Sequence, residues 1–264
     1  MITRVITLFT VLFLCTSISQ AAEYSLTVQP IMSEDKIHET YQPLADYLTQ
    51  QTGHTIKLVT HRNFTFYWSK MRKGREGFDL VLDAAHFTDY RVQKQGYTVL
   101  AKIPDTVSFS IVTHEDNFIL DVDELTSKRI ATMPSPSLGA MRLEELFPNP
   151  VRIPLYVYEP NTNRAVDSVL SGKVDAAIIP TRLASQYESL NTVETTDPVP
   201  HMALSASPDV PAEVAQKIQE ALVNANQTPA GIKMLEIMQM DKFEATSNED
   251  YDGFAELLVG VFGY

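Results

Sequence analysis

Phe78–Tyr90 reads FDLVLDAAHFTDY. Its first five residues, Phe78 to Leu82, form an apolar run too short for a helix and too apolar for a loop. That predicts a buried strand of a parallel sheet. At Asp83 the pattern changes, and Phe87, Tyr90 and Val92 recur at near-helical spacing. A strand running straight into a helix leaves free backbone N–H groups at the carboxyl edge of the sheet, where open α/β sheets bind ligands. The arrangement recurs at Lys173–Ile179 (KVDAAII), followed by Pro180 and a new helical pattern. Two such units predict two α/β lobes with a cleft between them.

Upstream, Leu26 to Ile31 reads as a first strand, and Ser33 as the N-cap of a helix with Ile37, Tyr41, Leu44, Ala45 and Leu48 on one face. Gly53 ends that helix, Thr55 to Thr60 is the next strand, and Asn63 caps a helix from Phe64 to Lys73. The stripe Phe64, Trp68 and Met71, with Tyr67 beside it, reads as core packing. Tyr97 to Ile103 completes the first lobe's strands.

Downstream, Thr106 to Thr113 is a β-rich run that leaves the first lobe. Asp121 to Leu125 reads as a helical turn and Arg129 to Met133 as a strand. Pro134 to Gly139 is a turn opening a helix through Phe147, Val151 to Tyr158 is a strand, and Asn161 caps a helix closed by Gly172. A helix is expected over Thr181 to Leu190 and a returning strand over His201 to Ala206. Helices are expected from Pro211, from Pro229 to Met240, and from Asn248 to Phe262, the last with Ser247 and Asp250 as a capping pair. Strands near 106–113 and 201–206 would then link the lobes twice, a hinge suited to closing on a ligand.

Composition bounds the function. With 264 residues, 44% hydrophobic and 20% charged, the chain is an ordinary globular protein, large enough for two domains. Residues 1–21 differ: a basic start ending in Arg4, an apolar block from Val5 to Leu14, and small residues at Ser19 and Ala21. This is the pattern of a secretory leader, too short for a membrane span. The only cysteine, Cys15, lies inside it, behind Leu14, too large a residue for a lipidation site. Cleavage after Ala21 or Ala22 leaves a cysteine-free exported chain with no disulfide or thiol chemistry. Losing Arg4, the only charged residue of that segment, takes the formal charge from -12 to -13. Nucleic acid and anionic membrane surfaces are therefore poor partners.

The chain resembles the periplasmic solute-binding proteins of the phosphate, phosphite and phosphonate import family. The likeness rests on Tyr41–Leu48, Phe78–Phe87, Asp123–Leu125 with Lys128–Ala131, Ala165–Ala176 and Ser207–Glu213, in that order. It implies a type II periplasmic binding protein of two lobes, each an open mixed sheet with helices on both faces, joined by two hinge strands. The expected divisions are a leader at 1–21, lobe one at 22–107, lobe two at 108–203, and a return to lobe one at 204–264. It also implies capture of a small oxyanion or related polar solute in the periplasm, by a monomer, for an ABC permease. The alternative expectation is a ligand-sensing component that signals to a membrane sensor kinase or cyclase. The family's anion loop corresponds to Pro134–Gly139, where Ser135 and Ser137 remain but Pro136 removes a backbone donor. Glu159 stands where the family often has His, and would repel a phosphonate unless protonated or paired. Pro180-Thr181-Arg182 stands where an acidic residue usually follows the last buried strand.

The candidate ligand-binding residues are thus His61, Asp83, His86, Ser135, Ser137, Glu159 and Thr181. Each has a plainer reading. His61, with Arg62, could lie in a solvated loop, Asp83 could be an N-cap, His86 could be satisfied by Asp83 or by backbone, and Ser135 and Ser137 could serve only the turn and cap. His61, Asp83 and His86 could together suit a transition metal, but their spacing matches no metal motif, and no metal or cofactor is expected. No GxSxG elbow, HExxH, P-loop or GxGxxG is present, so the sequence offers no case for an enzyme.

Overall fold

The computed structural model describes residues 21–73 and 78–264. The expected leader, Ala21 apart, and the turn glycines Gly74 and Gly77 lie outside the described residues. Among those described, no helix is long and apolar enough to cross a membrane.

The chain runs β1 (Glu23–Val28), α1 (Glu34–Thr52), β2 (Thr55–Val59), α2 (Phe64–Met71), β3 (Leu80–Asp83), α3 (Ala85–Gln95) and β4 (Thr98–Lys102). Then come β5 (Thr106–Val107), β6 (Phe109–His114), β7 (Arg129–Thr132), α4 (Leu138–Leu146), β8 (Leu155–Tyr158), α5 (Thr162–Leu170), β9 (Ala176–Pro180) and α6 (Thr181–Ala184). The last part is β10 (Leu190–Thr195), β11 (Val199–Pro200), β12 (Ala203–Ala206), α7 (Ala212–Val223), α8 (Pro229–Met238) and β13 (Glu244–Ala245).

Two mixed sheets result. One has the order β13-β4-β12-β3-β1-β2, the other β10-β6-β9-β7-β8. β1 lies parallel to β2 and β3, while β12 inserts antiparallel between β3 and β4. In the second sheet β7 is parallel to β8 and β9, and β6 runs antiparallel to β9 and β10. Side chains alternate across each sheet, as the period of two requires. Leu80 and Leu82 enter the core beneath α1 and α7, and Val81 enters the core beneath α2 and α3. In β9, Ala177 and Ile179 meet Ala165, Val166 and Val169 of α5, and Ala176 and Ile178 meet Leu143 of α4. Each sheet thus carries helices on both faces, the two-lobed architecture expected. Burying one such aliphatic side chain contributes roughly 1.5–3 kcal/mol, so these stripes rather than local propensity hold the helices.

The caps follow the sequence. Ser33, Asn63 and Asn161 accept from the third backbone N–H beyond them, and Ser247 forms a capping box with Asp250. Gly53, at φ 75°, ends α1 in the left-handed region that glycine adopts without strain.

Several boundaries differ from expectation. The first strand is β1, starting at Glu23 rather than Leu26, and β8 starts at Leu155 rather than Val151. The chain crosses between sheets through a separate antiparallel pair, β5 with β11. The expected crossing runs split accordingly, β6 joining the second sheet and β12 the first. The helix expected over Thr181 to Leu190 stops at Ala184, and edge strand β10 follows. The final helix is instead two 3-10 segments, Asn248–Tyr251 and Phe254–Leu258.

Candidate ligand-binding cleft

A cavity of about 670 Å³ lies between the two sheets, beside the crossing pair. Gln29, Phe64 and Ala84 line it from one lobe, and Thr132, Ser137 and Thr162 from the other. Thr106, Val107 and Ser108 of the crossing also line it. Three helices begin at this space. Ala84 precedes α3, Ser137 precedes α4, and Thr162 is the first residue of α5. The first turn of a helix has backbone N–H groups without intrahelical partners and carries about half a positive charge. No side chain caps α3. Three positive helix ends facing one cavity, from both lobes, suit an anion held by backbone donors.

The sequence-predicted residues divide sharply. Ser137 and Thr181 line the cavity. The Ser137 hydroxyl is engaged locally: it donates to the Met133 carbonyl at 3.2 Å and accepts from the Ala140 N–H at 3.4 Å. Thr181 sits in a hydroxyl cluster, its Oγ1 at 2.8 Å from Ser108 Oγ and 2.9 Å from Ser110 Oγ.

Asp83 is fully buried at the end of β3 and is not the cap of α3. Its carboxylate accepts from the Tyr67 hydroxyl, from Thr88 Oγ1 at 3.1 Å and from Arg91 Nε at 3.1 Å, while Arg91 also donates to Tyr67 at 2.8 Å. That network pairs both charges within lobe one, leaving only Arg91 Nη1 of its polar groups buried without a hydrogen-bond partner. His86 is also fully buried, and its Nε2 lies 2.9 Å from the Pro136 carbonyl, across the cleft. Burial pushes its pKa down to about 4, so the ring is neutral and Nε2–H is the donor. Nδ1 is left buried without a partner. Of the plainer readings, backbone satisfaction is the one seen, and the carbonyl comes from the other lobe.

Ser135 is half-buried beside the cavity and does not line it. Glu159 accepts from Ser168 Oγ and Lys173 Nζ, each at 2.7 Å. The Lys173 hydrogen bond holds its carboxyl below the usual range, so it is a paired carboxylate, and it is not among the residues lining the cavity. His61 packs edge-on against Tyr67 and Phe78, with Nε2 buried and unpartnered and its pKa lowered by burial. Arg62 lies over the Phe66 ring at 3.6 Å and lines a neighbouring cavity of about 570 Å³ together with Asn161. His61, Asp83 and His86 do not converge. Among the described residues, no three His, Cys, Asp or Glu side chains come together as a metal cluster.

Sequence reasoning missed Gln29, Thr132, Thr162, Arg182 and His201, all of which line the cavity. Thr162 had a signal, since the residue after an N-cap presents an unpaired N–H. Asp105 had none, although its backbone adopts φ 68° where it enters the lining.

Two mixed sheets, a double crossing and a cavity between them define a type II periplasmic binding protein. Residues 26–251 match the family described as "ABC transporter, phosphonate, periplasmic substrate-binding protein", and the chain belongs to that family. It is a family of solute-binding proteins, not of enzymes. Solved structures of similar fold include PhnD1 from Prochlorococcus marinus in complex with methylphosphonate, with TM-score 0.76, 13% identity, and coverage of 90% of this chain and 97% of that one. A binding protein component of an ABC phosphonate transporter from Pseudomonas aeruginosa has TM-score 0.73, 14% identity, and coverage of 90% and 85%. XAC2383 from Xanthomonas citri, bound to ATP, has TM-score 0.72, 14% identity, and coverage of 91% and 97%. No curated protein matches the chain.

Proposed function

We propose that this protein captures a phosphonate or related tetrahedral oxyanion in the interlobe cavity and presents the closed form to an ABC permease. It would act as a monomer in the periplasm, after removal of residues 1–21. The lobes would divide at 22–107, 108–203 and 204–264, close to the crossing pair. The observation that carries the reading is the convergence of α3, α4 and α5, from both lobes, on one cavity. Backbone N–H groups bind an oxyanion without the desolvation cost that a buried cationic side chain would add. The residues proposed to border the head group are Ser137, Gly139, Thr162 and Thr181. Ser135 would act only through the loop, and His61, Asp83, His86 and Glu159 through the scaffold.

Titration calorimetry with methylphosphonate, phosphate and sulfate tests this, using protein purified from the periplasm. Binding of at least one is expected. Thr162→Pro keeps α5 intact, because proline fits the first helical position, and removes one N–H and one hydroxyl. A hydrogen bond to a charged group is worth about 1.5–3 kcal/mol, so affinity should fall by about tenfold or more. Unchanged affinity would take α5 out of the site, and no binding of any oxyanion would sink the reading.

A further inference from the structure

The cavity is far larger than an oxyanion needs. At roughly 30 Å³ per water, about 670 Å³ holds about 20 waters, and it falls within the roughly 300–1,000 Å³ typical of organic-ligand sites. A methylphosphonate seated at the helix ends would leave most of this space to solvent. The charged side chains of the lining, Asp105, Arg182 and Asp241, are all exposed, which places them toward the open side. Much of the remaining wall is apolar: Met32, Phe64, Ile103, Met133, Met202 and Met240. Four of these six are methionines, and they come from both lobes. Met32, Ile103 and Met240 pack against the first lobe's core yet remain only partly buried. Phe64, Met133 and Met202 are buried, so the part of the wall open to water is Met32, Ile103 and Met240. Open apolar surface is costly unless something covers it, and unbranched thioethers adapt to bodies of varied shape.

We propose, resting on the oxyanion reading above, that the ligand is an organic phosphonate or phosphate monoester whose non-anionic part is apolar and larger than methyl. The tetrahedral head sits at the ends of α3, α4 and α5, and the organic body lies against the methionine wall. Lobe closure then covers both parts. Specificity comes from the wall, because the helix ends accept any such head.

Calorimetry with phosphate, methylphosphonate, phenylphosphonate and phenyl phosphate tests the assignment on the protein purified from the periplasm. The expected result is a phenyl compound binding at least tenfold tighter than methylphosphonate. The better of the two phenyl compounds separates a phosphonate source from an ester source. In a Met32→Gln/Met240→Gln variant, the phenyl-to-methyl ratio should fall to about threefold or less. Equal affinity for methyl- and phenylphosphonate would overturn the proposal while leaving the oxyanion reading in place. So would a ratio that both substitutions leave unchanged. Failure of all four compounds to bind would remove both. If the variant does not fold, the wild-type comparison decides alone.

Discussion

His86 makes a polar contact between α3 of the first lobe and the loop before α4 of the second, through its Nε2 and the Pro136 carbonyl. Its ring has no water to charge into, and burial holds its pKa near 4. In the unfolded chain the same group titrates near 6.5. Between those values the unfolded state binds the extra proton, so stability is complete above about pH 6.5 and falls as the pH drops toward 4. The loss attributable to His86 is on the order of 3 kcal/mol. His86→Gln keeps a donor for Pro136 and cannot titrate. Urea unfolding at pH 7 and pH 4.5 should show a clearly smaller pH dependence in the variant. An equal loss in both proteins would mean that His86 is not the group responsible. This contact was beyond the reach of sequence, because it joins residues fifty positions apart through the docking of two lobes. Asp83 shows the same limit differently. Its place at the end of β3 was legible from the apolar run, but its side chain turns into Tyr67, Thr88 and Arg91 rather than toward the cleft. Position on a sheet edge locates a residue without saying where its side chain points.

Among the elements, those with a strong apolar period were legible: α1, α5 and β9 lie where the stripes predict, because a one-sided stripe leaves few ways to bury it. β10 was missed because LNTVET is an exposed, polar edge strand whose pairing comes from β6 and not from its own pattern. The C-terminal segment carries helix-like spacing but bends at Gly253, with φ 91°, which divides it into two short turns. Close approach of backbone is equally silent in sequence. Gly231 lies in the first turn of α8, and an added Cβ would stand 2.1 Å from the Ala225 carbonyl oxygen and 2.7 Å from Ala225 Cα. Exposed helical Gly→Ala changes stabilise by about 1 kcal/mol. Here the obstacle is backbone that cannot move aside, so Gly231→Ala should instead cost about 3 kcal/mol by α8 shifting off its seat. A urea midpoint equal to wild type or higher would show that α8 adjusts freely.

Over the whole molecule, the lobes meet through apolar surface as well as through His86. Met133, Ala140 and Met141 of the second lobe share one buried cluster with Phe64, Trp68, Tyr90 and Leu258, and Leu138 joins Ala84 and Ala85 in another. Such a seam favours closure before any ligand arrives, and a closed minor or major state sets the apparent affinity. Met141→Glu places a carboxylate in that seam. It should raise the radius of gyration of the ligand-free protein in small-angle scattering and weaken ligand binding; superimposable scattering curves would rule the seam out as the closing element. The order of strands has a different consequence, for how the molecule comes to exist. The second sheet is drawn from one unbroken span, Phe109 to Thr195, so it can assemble as soon as that span is available. The first sheet cannot. Among the described residues its β4 pairs only with β12 and β13, and β3 is separated from β4 by β12, which begins at Ala203. A chain threading outward from its N-terminus would therefore hold β3 and β4 with bare edges until its last quarter emerged. The part made first is finished last, and a truncation near the C-terminus would damage the lobe that contains the N-terminus.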